Sequence, residues 1–402
     1  MTQPLLQAAD LRGAAPLTPD AVAGLTHLVE AMHARMAALP AAAAPADEPE
    51  PRLDGLVWKT VRGVSRVSGA STAALFDWLG PAVAAAGGGL PREEREAIVA
   101  ALNGLVGDHL AAIDHPLALA MTFRHDGKVL PLERFALRAQ LRGASARVLV
   151  LLHDVCMNDL QWQRDGHDHG TMLAREGGYT PVYLSYNSGL SVSTSGRILA
   201  QHMERLLDSW PLPMQRLAVI GHGMGGLVAR SALYHGTLIA RGGLRWPARV
   251  DDLVCLGTPH HGAPLEAAGH GVGPLLGAAP YAAALSKLAA VRSAGLHDLR
   301  HGNIINGEVG GQGTQRREQV PLPTTARCFA IAGTLGRDAT SAASGLPDDG
   351  MVAVTSALGH HREPARRLLF AAERQAIVPS TGHLDLLSSP AVYAQLRRWL
   401  EA

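Results

Sequence analysis

Cysteine is scarce in this 402-residue chain: Cys156, Cys255 and Cys328 are far apart, odd in number and free of any C-x-x-C spacing. That excludes a disulfide framework and a zinc cluster, and it fits a reducing compartment. Lysine is almost absent, with Lys59, Lys128 and Lys287 against abundant arginine, a bias that reads as genomic base composition rather than chemistry. No charge of either sign dominates: the formal net charge is +1 and the charged residues are scattered. A nucleic-acid or anionic-membrane partner therefore has no electrostatic basis. Long apolar runs are missing too, since no stretch approaches the roughly 18 residues of a membrane span. The opening MTQPLLQAADLRGAAPLTPD has no basic segment followed by an apolar one. The expectation is a soluble, cytoplasmic protein with no integral membrane segment.

What is present is ordinary for a folded protein, with 47% hydrophobic and 18% charged residues. The length predicts one large domain with insertions, or two domains. Thr18 and Pro19 start a helix in which Val22, Leu25, Val29, Met32, Met36 and Leu39 repeat at helical spacing; the two methionines are read as packing contacts. An Ala/Pro/acid-rich linker follows at 41–52, then a mostly helical pattern to Ile113, so 1–114 reads as an N-terminal helical region. From 115 the period changes. Two apolar runs around Asp126-Gly127 predict a hairpin, and strands are expected at 146–152, 181–186, 216–221 and 250–257. Helices are expected around 194–208 and 224–236, further strands at 328–333 and 367–372, and a last helix at 390–401. This alternation predicts an α/β protein, a mostly parallel sheet with helices on both faces. The Gly/Ala/Leu-rich stretch after Pro259, about 260–326, is expected to form a lid.

The sharpest local signal is AVIGHGMGGLVAR (218–230), where an apolar strand runs through a glycine-rich turn into a helix. That is the context of a nucleophile elbow, G-x-S-x-G, whose flanking glycines (here Gly221 and Gly225) avoid collisions in a tight turn. The central position, reserved for serine, holds Gly223.

Together with LLHDVCMNDLQW (151–162), LGTPHHGAP (256–264), DDGMV (348–352) and TGHLDLLSSP (381–390), this motif resembles the bacterial esterase/lipase branch of the α/β hydrolases. It is also similar to GPI inositol-deacylase-like lipases. The resemblance runs in order through about 115–402. It implies an α/β-hydrolase fold and a nucleophile–acid–histidine order, with Gly223 at the nucleophile position, Asp349 as acid and His383 as base. It further implies oxyanion amides from Val155 and Met224, with His153, Asp154 and His222 as neighbours. The implied partner is a small-molecule ester or acyl lipid, without metal or cofactor; oligomeric state is open.

An alcohol needs an imidazole to take its proton and a carboxylate to hold that imidazole. Without serine, three readings stay open for Gly223: a non-catalytic relative, an enzyme using water or another nucleophile, or a deliberately replaced serine. Glycine relieves elbow strain and is expected to leave room for a water beside His383. Asp154 stands where the family has glycine. A carboxylate about 5 Å from an oxyanion opposes it by roughly 3 kcal/mol at an effective dielectric of ~20, unless it is protonated, paired or turned away. Asp tolerates positive φ, so the backbone is expected to survive the change. The leading expectation is a carboxylic-ester hydrolase, inactive or weakly active through a His383-activated water. The alternative is a non-catalytic protein that binds an ester or acyl ligand.

Other candidates have plainer readings. Cys156 as a displaced nucleophile is outweighed by inert packing. Asp165, His167, Asp168 and His169 offer metal-ligand types but read as a loop starting a helix. His260 and His261 read as support beside the site, and Asp385 resembles a calcium ligand without a partner.

Overall fold

The computed structural model describes residues 92–238, 243–263, 293–305, 320–337 and 348–401. The helix expected at 19–39, the linker at 41–52 and most of the proposed lid lie outside these residues. Eight strands form one sheet: β1 Thr122–His125, β2 Lys128–Val129, β3 Arg147–Leu152, β4 Thr180–Ser185, β5 Arg216–His222, β6 Asp252–Leu256, β7 Arg327–Thr334 and β8 Gln375–Pro379. Their spatial order is β2-β1-β4-β3-β5-β6-β7-β8. The β1–β2 and β1–β4 pairs are antiparallel and the rest parallel. The hairpin falls where Asp126-Gly127 predicts it, with φ of 49° and 67° giving the left-handed pair of a two-residue turn.

The central strands are continuous apolar runs because both faces of the sheet are covered: Val148–Leu152 of β3 and all of β6 are buried. The covering helices are α1 Arg92–Ala112, α2 Arg134–Gln140, α3 His169–Gly177, α4 Val192–Ser209, α5 Met224–Leu238, α6 Ala294–His301, α7 Val354–Ala357 and α8 Pro390–Leu400. Helices α4 and α5 pack on each other, with α5 against β3, β5 and β6. α3 and α8 form a second pair, in which the His169 ring stacks on Tyr393. No described helix is long and apolar enough to cross a membrane.

One expected strand is misplaced. Residues 367–372 form no strand; β8 starts at Gln375. Leu368 and Phe370 are buried while Leu369 is 86% exposed, which mimics strand alternation. The segment is instead held as a loop, with Leu368 N donating to Gly359 O at 2.9 Å, and turns of 3₁₀ helix flank it. A short apolar run cannot be assigned by period alone.

After β3 the chain crosses to β4 on one side, and β5 then returns to the other side of β3. In an open parallel sheet such a reversal leaves a crevice at the C-terminal strand ends, where sites gather. The loops after β3 and β5 face each other there.

Candidate active site

β5 ends at His222 and α5 begins at Met224, so Gly223 alone makes the turn, at φ 52°. Its N–H donates to Leu256 O on β6 (2.9 Å) and its carbonyl accepts from Gly226 N (3.2 Å). This is the left-handed conformation glycine adopts at no steric cost.

His383 and Asp349 come together from the loops after β8 and β7. Asp349 Oδ1 accepts from the amides of Met351 (2.9 Å) and Val352 (2.7 Å), which aims Oδ2 at His383 Nδ1, 2.8 Å away. The His383 amide donates to Asp349 O at 2.9 Å, closing the pair. His383 is 4% and Asp349 3% exposed.

Asp154, immediately beyond β3 and 1% exposed, completes the group in a way its sequence position does not announce. Its Oδ1 accepts from the Val155 amide (2.7 Å) and the Met224 amide (2.6 Å), and its Oδ2 lies 3.0 Å from His383 Nε2. The two amides implied for the oxyanion thus already hold an anion, the protein's own. A Cβ on Gly223 would overlap the carboxylate carbon and both oxygens of Asp154. Asp154 therefore fills the volume of a nucleophile side chain, and the water expected beside His383 has its place taken. The left-handed residue of this loop is Cys156 (φ 60°), not Asp154, so Asp154 needs no special backbone tolerance.

The electrostatics follow from this packing. Burial alone would hold His383 below its ordinary value, but the Asp349 charge and the hydrogen bonds to Asp154 and Asp349 raise its pKa to about 10. Burial likewise works against ionised Asp154, yet the hydrogen bond and charge of His383 with the Met224 amide keep its pKa below the usual carboxylate range. At neutral pH the site is an imidazolium between two carboxylates. His222, pushed down to about 4 by burial and by the His383 charge, is neutral. Its Nε2 lies 3.0 Å from His383 O, while Nδ1 has no partner among the described residues. His153 is also held near 4 by burial; it stacks on Tyr186 at 4.3 Å and its Nδ1 donates to Asp154 O at 2.7 Å. Both histidines therefore position the loops.

Asp154, His222 and His383 offer ligand atoms within 4.8 Å of one another, and two of these groups are engaged with each other, Asp154 Oδ2 lying 3.0 Å from His383 Nε2. The Cys156 thiol is pushed up to about 12 by burial and the Asp154 charge, which makes it a poor nucleophile. Its amide donates to Ser188 Oγ at 3.0 Å. Asp168 caps α3 by accepting from Thr171 N (2.6 Å), and Asp385 accepts from Gly382 N (3.0 Å). His260 lies 3.2 Å from Arg230 and packs on Phe370, whereas His261 donates its amide to Ser356. Two positions have no motif signal: Ser188, and Gly104 of α1, which rests against Cys156.

The strand order, the sense of the pairs and the turn after β5 define an α/β-hydrolase fold. Residues 156–278 match the family model of the PGAP1-like alpha/beta domain. Among solved structures, the chain is similar to the lipase BlEst2 of Bacillus licheniformis in mature form. The two are 16% identical, with 63% of this chain and 91% of that chain covered and a TM-score of 0.38. It is also similar to the Pyrococcus furiosus esterase Pf2001, 13% identical over 64% of this chain and 80% of that chain, with a TM-score of 0.37. No curated protein matches.

Proposed function

We propose that the protein is an esterase/lipase-type hydrolase whose acyl-transfer route is closed in this sequence, leaving turnover of small esters or acyl lipids weak or nil. The observation that carries this reading is the placement of Asp154, with one oxygen on the Val155 and Met224 amides and the other on His383 Nε2. A carboxylic-acid product would bind an oxyanion hole and its histidine in this manner, so Asp154 acts as a built-in product. Protonated His383 has no lone pair with which to activate water. The rival, a binder of intact esters, requires the same two amides to be free.

The reading couples the two departures from the family pattern. Gly223→Ser, the change the motif invites, meets the Asp154 carboxylate and is expected to leave hydrolysis of p-nitrophenyl butyrate near background. The double change Asp154→Gly with Gly223→Ser empties the hole and supplies the nucleophile, and is expected to raise kcat/KM by at least about 10³-fold. Loss of that gain on adding His383→Ala would tie it to the site. Ester turnover by the unaltered protein as fast as that of the double variant, and lost in His383→Ala, would defeat the reading, because it would mean that Asp154 readily vacates the hole.

A further inference from the structure

Helix α6 carries two histidines one turn apart, His297 and His301, with their ring centroids 4.6 Å apart. That spacing puts both side chains on one face of the helix. Each ring is oriented through the same nitrogen: His301 Nδ1 donates to His297 O at 2.8 Å, and His297 Nδ1 lies 3.7 Å from Asp298 Oδ1. A neutral imidazole with its proton on Nδ1 presents its electron pair on Nε2. Support of the far nitrogen by a carbonyl or a carboxylate is what metal-bound histidines commonly share. Asp298 is itself fixed, since its Oδ2 accepts from Val192 N at 2.9 Å and its Oδ1 from Asn303 Nδ2 at 3.1 Å. The His297 side chain is 45% exposed, so an ion bound here keeps water in its remaining positions.

Two other histidine pairs lack these features. His167 Nε2 and His169 Nδ1 are bonded to each other at 2.7 Å, and His169 Nε2 is taken by Leu386 O at 2.9 Å. His361 Nδ1 accepts from Glu363 N at 3.1 Å, while His261 Nε2 is shut off from solvent. The thiols do not compete either, because burial pushes Cys156, Cys255 and Cys328 each up to about 12. We propose that His297 and His301 form a chelating site for a first-row transition-metal dication such as Zn²⁺. The site is independent of the acyl route, in which neither histidine takes part. Imidazole nitrogen selects Zn²⁺ or Ni²⁺ over Mg²⁺ and Ca²⁺, which take oxygen ligands.

The ion braces a helix on which its neighbours lean. With eight residues, α6 is too short to be stable alone. Its start is tied to α1, with Ser293 Oγ donating to Gly104 O (2.8 Å) and Ala294 N to Asp108 Oδ2 (2.9 Å). Gly295 packs so closely that a methyl group there would meet Ser188 O and come within 3.0 Å of the Met224 methyl carbon. The last turn holds the loop after β6, through Ala263 N donating to Leu299 O at 3.2 Å. A chelate spanning His297 and His301 fastens one turn of α6 to the next, so the helix opens less often when metal is bound.

The test uses the full chain, stripped with EDTA, and zinc chloride. Calorimetry should show Zn²⁺ binding that weakens at least about tenfold in His297→Gln and again in His301→Gln, because each variant breaks the chelate. Mg²⁺ should give no heat. On addition of Zn²⁺ to the unaltered protein, the Nε2 signals of both rings should shift and amide exchange across residues 294–301 should slow at least about threefold. Equal Zn²⁺ binding by the double variant, or ring shifts confined to other histidines, would overturn the proposal. Loss of affinity in one single variant alone would reduce the site to a lone histidine and overturn it too, as would binding without slower exchange in α6. The ring signals are read on the unaltered chain, so this arm decides the matter even where a variant folds poorly.

Discussion

Two carboxylates are buried at opposite ends of the same sheet, and they are neutralised differently. Asp252, fully buried at the start of β6, is held by Arg216 of β5 at 3.0 and 3.1 Å and by Arg327 of β7 at 2.8 Å. Register pairs Asp252 with Arg327 across the strands. Guanidinium keeps its proton in any folded protein, so this cluster is permanent and ties three strands together. Asp154, beyond the end of β3, is held by two amides and an imidazole, and an imidazole can change its charge. The fixed cations stand where the fold needs a constant, and the titratable one stands at the candidate site.

The largest way to break this comparison is Asp252→Ala, which leaves two arginines facing each other without their anion. A loss of about 3–5 kcal/mol is expected from urea unfolding, with His383 titrating as before. An unchanged midpoint would show the Asp252 cluster to be ornamental.

A smaller effect comes from pH. His383 titrates near 10 in the folded protein and near 6.5 unfolded, so its stabilisation is complete below about pH 6.5 and declines as pH rises through 10. Asp154→Asn keeps an oxygen for the two amides but removes one of the charges behind the shift. The decline should then move to lower pH, read by urea unfolding across pH 6–10 and by the imidazole nitrogen signals. Identical profiles for the two proteins would place the pairing of His383 wholly on Asp349.

The smallest effect is at Cys156. With its thiol held near 12, iodoacetamide at pH 8 should label it in unfolded protein and leave it untouched in the native state. Rapid native labelling would mean that the loop bearing Asp154 opens freely.

The fold was legible because its carriers are local. Asp126-Gly127 specifies a turn by backbone preference, and unbroken apolar runs such as RVLVLL report a strand covered on both faces. Motif order also singled out Asp349 and His383, whose side chains lie 2.8 Å apart. What could not be read was the direction of the Asp154 side chain. One of its two amides belongs to the next residue, Val155, but the other comes from Met224, 70 residues away at the start of α5, so its rotamer is decided only where the loops after β3 and β5 converge. The same limit misplaced β8, since Leu368 and Phe370 alternate like a strand but pack as a loop.

The contact between α1 and the site loop has a consequence for how this protein can diverge. A methyl group on Gly104 would collide with the Cys156 sulfur and come within 2.8 Å of its backbone nitrogen and Cα. Cys156 directly follows Val155, whose amide is one of the two that grip Asp154. The helix thus acts as a shim beneath one wall of the anion cradle, and changes to it would adjust the cradle's width while sparing every residue that bonds to Asp154.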